Sequence, residues 1–387
     1  MSLTGPVFLV LVIVITVAAF VAVVVLWPRL AGPSPARIAA RAGLLLGVNL
    51  LVLLTAATQL NAQFLFFADW SDLSGALGGT TATTSLSRGS SAAAAATKQL
   101  PNGQNAAASG PAGGVGRARP SGPIGADGVV STVVTGRLSG ITARVVVRLP
   151  SGYLDPANAS VRYPVLVAFP GYPGDAREWL GIMNLGGVLD EAVQHRGLRA
   201  PIVVVPQIEI PRGADTECVN GSPGRPQVET WVAQDVPDWI ARTFRVDLAR
   251  SSWATIGLSA GGWCAAMALL LHPAQFSAAI VMGGYFRPDF GPAYEPYPPL
   301  SPLEQRYDLV KLVQRSPPPV ALWLETSHAD ALSYSSSAAL LKAARPPMAV
   351  DAVVLQNAGH RFGIWQGLLP QAVAWLGKNI PGFRPVP

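Results

Sequence analysis

From Val129 onward, short apolar runs alternate with segments of helical spacing, and this alternation leaves few folds open. The runs are Arg144–Leu149, Val165–Phe169, Ile202–Val205, Trp253–Ile256, Ala279–Met282, Val320–Leu324 and Ala352–Leu355, rich in valine and isoleucine and bordered by glycine or proline. They are too short for helices and lack the polar alternation of a strand with one wet face, so they read as strands buried on both sides. Between most of them, Trp231–Thr243, Gly262–Leu271, Ser335–Ala344 and Leu368–Leu376 repeat apolar residues at helical spacing. Strands separated by helices give an α/β domain, residues 129–387, with a mostly parallel sheet covered on both faces.

The first 70 residues follow a different pattern. Val7–Trp27 is a run of about twenty apolar residues without a charge, and Ala42–Leu60 is a second, broken only by Asn49, Thr55, Thr58 and Gln59. At ~1.5 Å per residue each is long enough for the ~30 Å hydrocarbon layer of a bilayer. Residues 1–70 are therefore expected to form a transmembrane helical hairpin. Arg29, Arg37 and Arg41 lie between the spans with no acid beside them, whereas no side chain before Val7 is charged. The positive-inside rule then makes the connecting loop cytoplasmic, a multi-pass topology with both ends outside and the large domain extracytoplasmic. A cleaved signal peptide is the competing reading; it lacks a basic n-region here, and the run exceeds a usual h-region. Residues 71–128 turn to Gly, Ala, Ser, Thr and Pro and read as a disordered linker.

Charge argues against a nucleic-acid partner. Of the net +6, residues 1–128 hold +4, seven Lys or Arg (Arg29, Arg37, Arg41, Arg88, Lys98, Arg117, Arg119) facing Asp69, Asp72 and Asp127, so the large domain is nearly neutral. Such a surface is a poor competitor for phosphate counterions.

Chemistry is carried by Gly257-Leu258-Ser259-Ala260-Gly261, which follows one strand and opens a helix. A serine hydroxyl becomes a useful nucleophile only when a sharp turn lifts it clear, beside a base and near backbone donors, and flanking glycines let strand and helix approach closely. His360, after the last strand run and before the final helical segment, stands where a general base is needed; His195, His272 and His328 lie in or beside other segments. The loop after Val320–Leu324 offers Glu325 and Asp330 as the acid. Asp330 is favoured because it sits further into the loop, while Glu325 belongs to the strand end. Ser259, Asp330 and His360 then occur in the order nucleophile, acid, base.

Phe169-Pro170-Gly171-Tyr172-Pro173-Gly174 with Trp179, Gly257–Gly262, Asp330, and Ala358-Gly359-His360 with Trp365 together resemble the putative esterase family of α/β-hydrolases. That family includes esterase D-type enzymes and actinobacterial mycolyltransferases. The resemblance covers roughly Val129–Leu376. It implies the α/β-hydrolase fold, and an oxyanion hole from the backbone N–H groups of Tyr172 and Ala260. Pro170-Gly171 replaces the His-Gly of many members and Ala358 replaces a common second Gly; neither removes a backbone donor. The expected activity is hydrolysis of a carboxylic ester, lipid-linked or small and soluble, through an acyl-enzyme with no metal or cofactor. Acyl transfer by the same triad, and a non-catalytic envelope-binding module, are the alternatives.

Cys218 and Cys264, the only cysteines, are expected to pair as a disulfide in an oxidising compartment. Cys264 falls five residues after Ser259, and the Cys218 loop has no core of its own. A buried free Cys264 beside an exposed Cys218 is the other reading. Two cysteines without suitably spaced histidines do not make a zinc site.

Overall fold

The computed structural model describes residues 3, 5–64, 66–67, 69–78, 83–88, 125, 128–291 and 294–385. The chain divides into two compact units. The larger holds Thr83–Ser327, Leu332–Leu355 and Phe362–Pro387, and the smaller Met1–Ala82, His328–Ala331 and Gln356–Arg361.

Among the described residues the larger unit is built on nine strands: β1 (Thr83–Arg88), β2 (Val129–Thr135), β3 (Thr142–Arg148), β4 (Val165–Phe169), β5 (Ile202–Pro206), β6 (Trp253–Leu258), β7 (Ala278–Met282), β8 (Ala321–Ser327) and β9 (Ala349–Leu355). They lie in the order β1-β9-β8-β7-β6-β4-β5-β3-β2. Pairing is parallel from β5 through β4, β6, β7 and β8 to β9, and antiparallel at β1 and at β3 and β2. Every residue of β4 through β9 is buried, which is why these strands read as continuous apolar runs. β2, at the edge, and β3 beside it alternate buried and exposed positions, as strands with one wet face do, so the Arg144–Leu149 run is not buried on both sides as expected.

The helix Ala260–Leu271 is buried along almost its whole length, with Trp263 and Met267 inaccessible. It sits immediately after β6, so the middle of the sheet and this helix form one block that fixes the serine turn. The final helix, Phe362–Asn379, starts six residues before the expected Leu368. The helix passes through Pro370, forgoing one backbone bond, while buried Ile364, Trp365 and Leu369 hold the preceding turns.

The first part of the linker expected over 71–128 holds regular structure instead. Trp70–Gly78 is a helix and Thr83–Arg88 a strand paired with β9 from Thr83↔Leu355 to Arg88↔Val350. Asp69 caps the helix, its Oδ1 accepting the Asp72 N–H at 2.8 Å, and the threonine pair of β1 suits an edge strand. Residues 89–124, the bulk of the expected linker, lie outside the described residues.

In the smaller unit, Pro6–Leu26 and Pro35–Phe64 form the hairpin, both helices long and apolar enough to cross a membrane. The second is longer than the Ala42–Leu60 run because Arg37 and Arg41 join its first turns, where their side chains bond the carbonyls of Ala31 and Gly32. Leu46, Leu50 and Leu53 are each about two-thirds exposed, unlike residues of a soluble core helix. Thr16 and Thr55 hydroxyls meet across the pair at 2.8 Å. Asn61 closes the turn that follows: its Nδ2 donates to the Phe67 carbonyl at 3.0 Å and its Oδ1 accepts the Phe67 N–H at 2.7 Å.

Candidate active site

β6 ends at Leu258, and Ser259 adopts φ 54° and ψ −126° before the helix begins at Ala260. A positive φ at a non-glycine residue costs of order 1–3 kcal/mol and persists only where its surroundings fix it. Here the Ser259 N–H donates to the Met282 carbonyl at 2.9 Å. The turn tolerates no side chain beside it. A Cβ on Gly257 would lie 1.8 Å from the Gly261 carbonyl oxygen, and one on Gly261 would lie 2.1 Å from that of Phe169 and 2.3 Å from that of Pro170. The Gly-x-Ser-x-Gly spacing is thus dictated by contact between β6, β4 and the helix.

The loop after β4 lies against this turn. A Cβ on Gly171 would stand 3.6 Å from Ser259 Cβ. The Tyr172 N–H, next along, and the Ala260 N–H, at the start of a 12-residue helix, have no acceptor among the described residues. Helix N-termini leave such donors unpaired and carry partial positive charge, which suits a developing oxyanion.

Two acids missed in the sequence brace this loop. Glu178 Oε2 accepts the Gly171 N–H at 2.7 Å, while Glu209 accepts the N–H groups of Gly174 at 2.8 Å and Gly213 at 2.9 Å. Burial pushes the Glu178 carboxyl up to about 7 against the pull of the Gly171 N–H, with Asp175 and Glu209 adding repulsion. The available signal was an acid set directly before Trp179, whose indole N–H donates to the Phe169 carbonyl at 2.8 Å.

In the smaller unit, His360 Nδ1 lies 2.9 Å from Asp330 Oδ2, with the two side chains 9% and 4% exposed. The loops carrying them follow β9 and β8. Glu325, within β8 in the larger unit, is occupied differently: its Oε2 accepts the Gly283 N–H at 2.9 Å and the Trp365 indole N–H at 3.1 Å. Of the other histidines, His272 pairs with Glu229 at 2.8 Å.

Cys218 and Cys264 are joined, with Cα atoms 5.6 Å apart, and both are fully buried. The loop around Cys218 is strained, with Glu217 at φ 46° and Cys218 at φ 50°. It is held by the Trp263 indole N–H on the Glu217 carbonyl at 2.6 Å and by the Tyr285 hydroxyl on the Glu217 carboxyl. A cleft of about 670 Å³ opens along the segment after β7, lined by Tyr285, Phe290, Tyr294, Tyr297 and Leu332. No group of three or more His, Cys, Asp or Glu suited to a metal occurs among the described residues.

A mostly parallel sheet with a strained serine turn between strand and helix defines the α/β-hydrolase fold. Residues 139–376 match the Putative esterase family, and the chain belongs to that family. An uncharacterized protein of Corynebacterium glutamicum is 27% identical over 249 residues, 60% of this chain and 56% of its own length, so this chain spans little more than half of that relative. Similar solved structures include a ferulic acid esterase (20% identity, TM-score 0.54, 65% of this chain and 98% of the other). An S-formylglutathione hydrolase from Agrobacterium tumefaciens (16%, 0.56, 66% and 97%) and the fluorophosphonate-binding serine hydrolase F of Staphylococcus aureus (15%, 0.52, 64% and 97%) share the fold too.

Proposed function

We propose that this protein is a membrane-anchored serine esterase whose catalytic domain faces the outside of the cell. The observation that carries the chemistry is the buried His360–Asp330 pair, from the loops after neighbouring parallel strands, in a chain whose β6 ends in a strained serine turn. Asp330 on Nδ1 leaves Nε2 as the nitrogen that takes the proton from Ser259 Oγ. Ser259 then attacks the ester carbonyl, and the N–H groups of Tyr172 and Ala260 receive the oxyanion. His360 returns the proton to the leaving alcohol, and water opens the acyl-enzyme by the same route in reverse. The two apolar helices and the arginines between them support anchoring and orientation. A domain tethered in this way is suited to lipid-linked or envelope esters, and the cleft, lined by aromatic side chains together with Arg287, Asp289, Glu295 and Glu304, is suited to a substrate with both apolar and polar groups.

Turnover and fluorophosphonate labelling test the assignment. Ser259→Ala and His360→Ala should each reduce turnover by about 10⁴ or more, and the double variant should lose little further. Asp330→Asn should collapse activity while Glu325→Gln keeps its labelling; the opposite pattern moves the acid to Glu325. Wild-type turnover in Ser259→Ala would end the esterase reading. Acyl products formed only with an added alcohol acceptor would recast the enzyme as a transferase.

A further inference from the structure

The residues on either side of His360 share one carboxylate that comes from far upstream. Asp72, in the helix Trp70–Gly78, is 4% exposed. Its Oδ2 accepts the Gly359 N–H at 2.9 Å and Arg361 Nη1 at 2.7 Å, and its Oδ1 accepts Arg361 Nη2 at 2.8 Å. Arg361 Nη1 also donates to the Phe66 carbonyl at 3.0 Å, and its guanidinium lies 4.9 Å from the centre of the Phe67 ring. Asn357 Nδ2 donates to Asp69 Oδ1 at 3.1 Å. All these groups belong to the smaller unit.

A loop without regular structure has soft dihedrals, and a general base acts only within a narrow range of positions. The Asp330 bond fixes the ring of His360 but not the backbone beneath it. A bidentate arginine–carboxylate pair is among the most geometrically specific contacts a side chain makes, and here its buried carboxylate also accepts a backbone N–H one residue from the base. Asp69, Asp72 and Phe66, which bond Asn357, Gly359 and Arg361, lie outside the family region, residues 139–376.

We propose that Asp72 is a positioning residue for the esterase reaction, setting the His360 loop and making the base depend on the segment that follows the apolar hairpin. This rests on the triad reading given above. Removal of the Asp72 charge breaks the two-pronged ion pair with Arg361 and weakens the hold on the Gly359 N–H, which loosens the loop, so the loss falls on proton transfer rather than on substrate binding.

The test uses the full chain in detergent micelles. Active sites are counted by fluorophosphonate stoichiometry, and kcat, KM and the phosphonylation rate are expressed per titrated serine. Asp72→Asn should slow kcat and phosphonylation together, by roughly 10- to 100-fold, the penalty that a small misplacement of a catalytic group carries. KM should change little, and Asp72→Glu should restore part of the rate. A purely structural role would instead lower the number of sites titrated and leave the rate per site unchanged. Should Asp72→Asn fail to accumulate, Arg361→Lys keeps the charge but loses the fork and should slow phosphonylation in the same way. A wild-type rate per site in whichever of these variants folds overturns the proposal. Wild-type activity in His360→Ala would instead overturn the triad reading, so the two failures are distinguishable.

Discussion

Opening the Cys218–Cys264 bridge offers a stability change whose size follows from the structure. The bridge closes a loop of sequence separation 46, and chain entropy for a loop of that length gives about 4 kcal/mol at 25 °C. Part is offset when the bridge is lost. Glu217 and Cys218 both hold left-handed backbone, and their relaxation returns roughly 1–2 kcal/mol. The net expectation is about 2–4 kcal/mol, because the Trp263 and Tyr285 bonds to Glu217 remain and limit how far the loop departs. For a domain of this size each kcal/mol moves Tm by roughly 2–4 °C, so the double variant Cys218→Ala/Cys264→Ala should melt roughly 5–15 °C lower. Thermal melting of the full chain in micelles, after secretion into an oxidising compartment, measures it. Thiol titration of the denatured wild type should find no free thiol. A double variant melting within about 2 °C of wild type would refute the entropic reasoning, and two free thiols in the wild type would refute the bridge itself.

Glu178 gives a pH-dependent test. Its folded pKa is raised to about 7, so its contribution to stability is fully present below about pH 4.5 and is lost as pH rises through 7. Glu178→Gln should therefore match wild type near pH 5 and be more stable at pH 8, by an amount on the order of 3 kcal/mol at most, and equal melting differences at the two pH values would rule this out. Gly261→Ala places a methyl 2.1 Å from the Phe169 carbonyl oxygen and should abolish fluorophosphonate labelling, whereas Gly363→Ala, with nothing within 4 Å, should label normally. Protease added to intact spheroplasts should remove the domain after Val129 and spare the hairpin; survival of the domain would reverse the orientation.

What the sequence disclosed and what it concealed divide along physical lines. Strands buried on both faces announce themselves, and β4 and β5 match the expected Val165–Phe169 and Ile202–Val205 runs to within a residue. β6, β8 and β9 extend past theirs because Gly257, Thr326 and Asp351 are polar or small yet still pair within the sheet. β1 was invisible: Thr83–Arg88 has no apolar run and is a strand through its pairing with β9, a partner some 270 residues away in the chain. At the site, the Ser259 turn was legible because the residues that shape it, Gly257, Ser259 and Gly261, fall within five consecutive positions of the chain, even though Gly261 also answers to the distant carbonyls of Phe169 and Pro170. Asp72 was not. Its role is defined by Gly359 and Arg361, and no local pattern signals a partner at that separation.

The loops proposed to build the site have a common construction. Gly171 is held by Glu178, Gly174 and Gly213 by Glu209, Gly283 by Glu325, and Gly359 by Asp72, in every case through a backbone N–H donated to a carboxylate. Glycine gives these loops freedom to turn sharply, and the same freedom would leave a catalytic group poorly placed. A hydrogen bond to a largely buried carboxyl group removes it, worth about 1.5–3 kcal/mol where the carboxyl is ionised. A chain with only 22 acidic residues commits four of them to this task, on loops distributed between its two units. Glu325 and Asp330, five positions apart in the chain, show the division of labour: one carboxylate accepts a glycine N–H and an indole N–H and fixes backbone, while the other meets an imidazole and can answer a change in its charge. That difference in partners, rather than depth of burial, supports Asp330 as the triad acid, since both are equally inaccessible at 3% exposure.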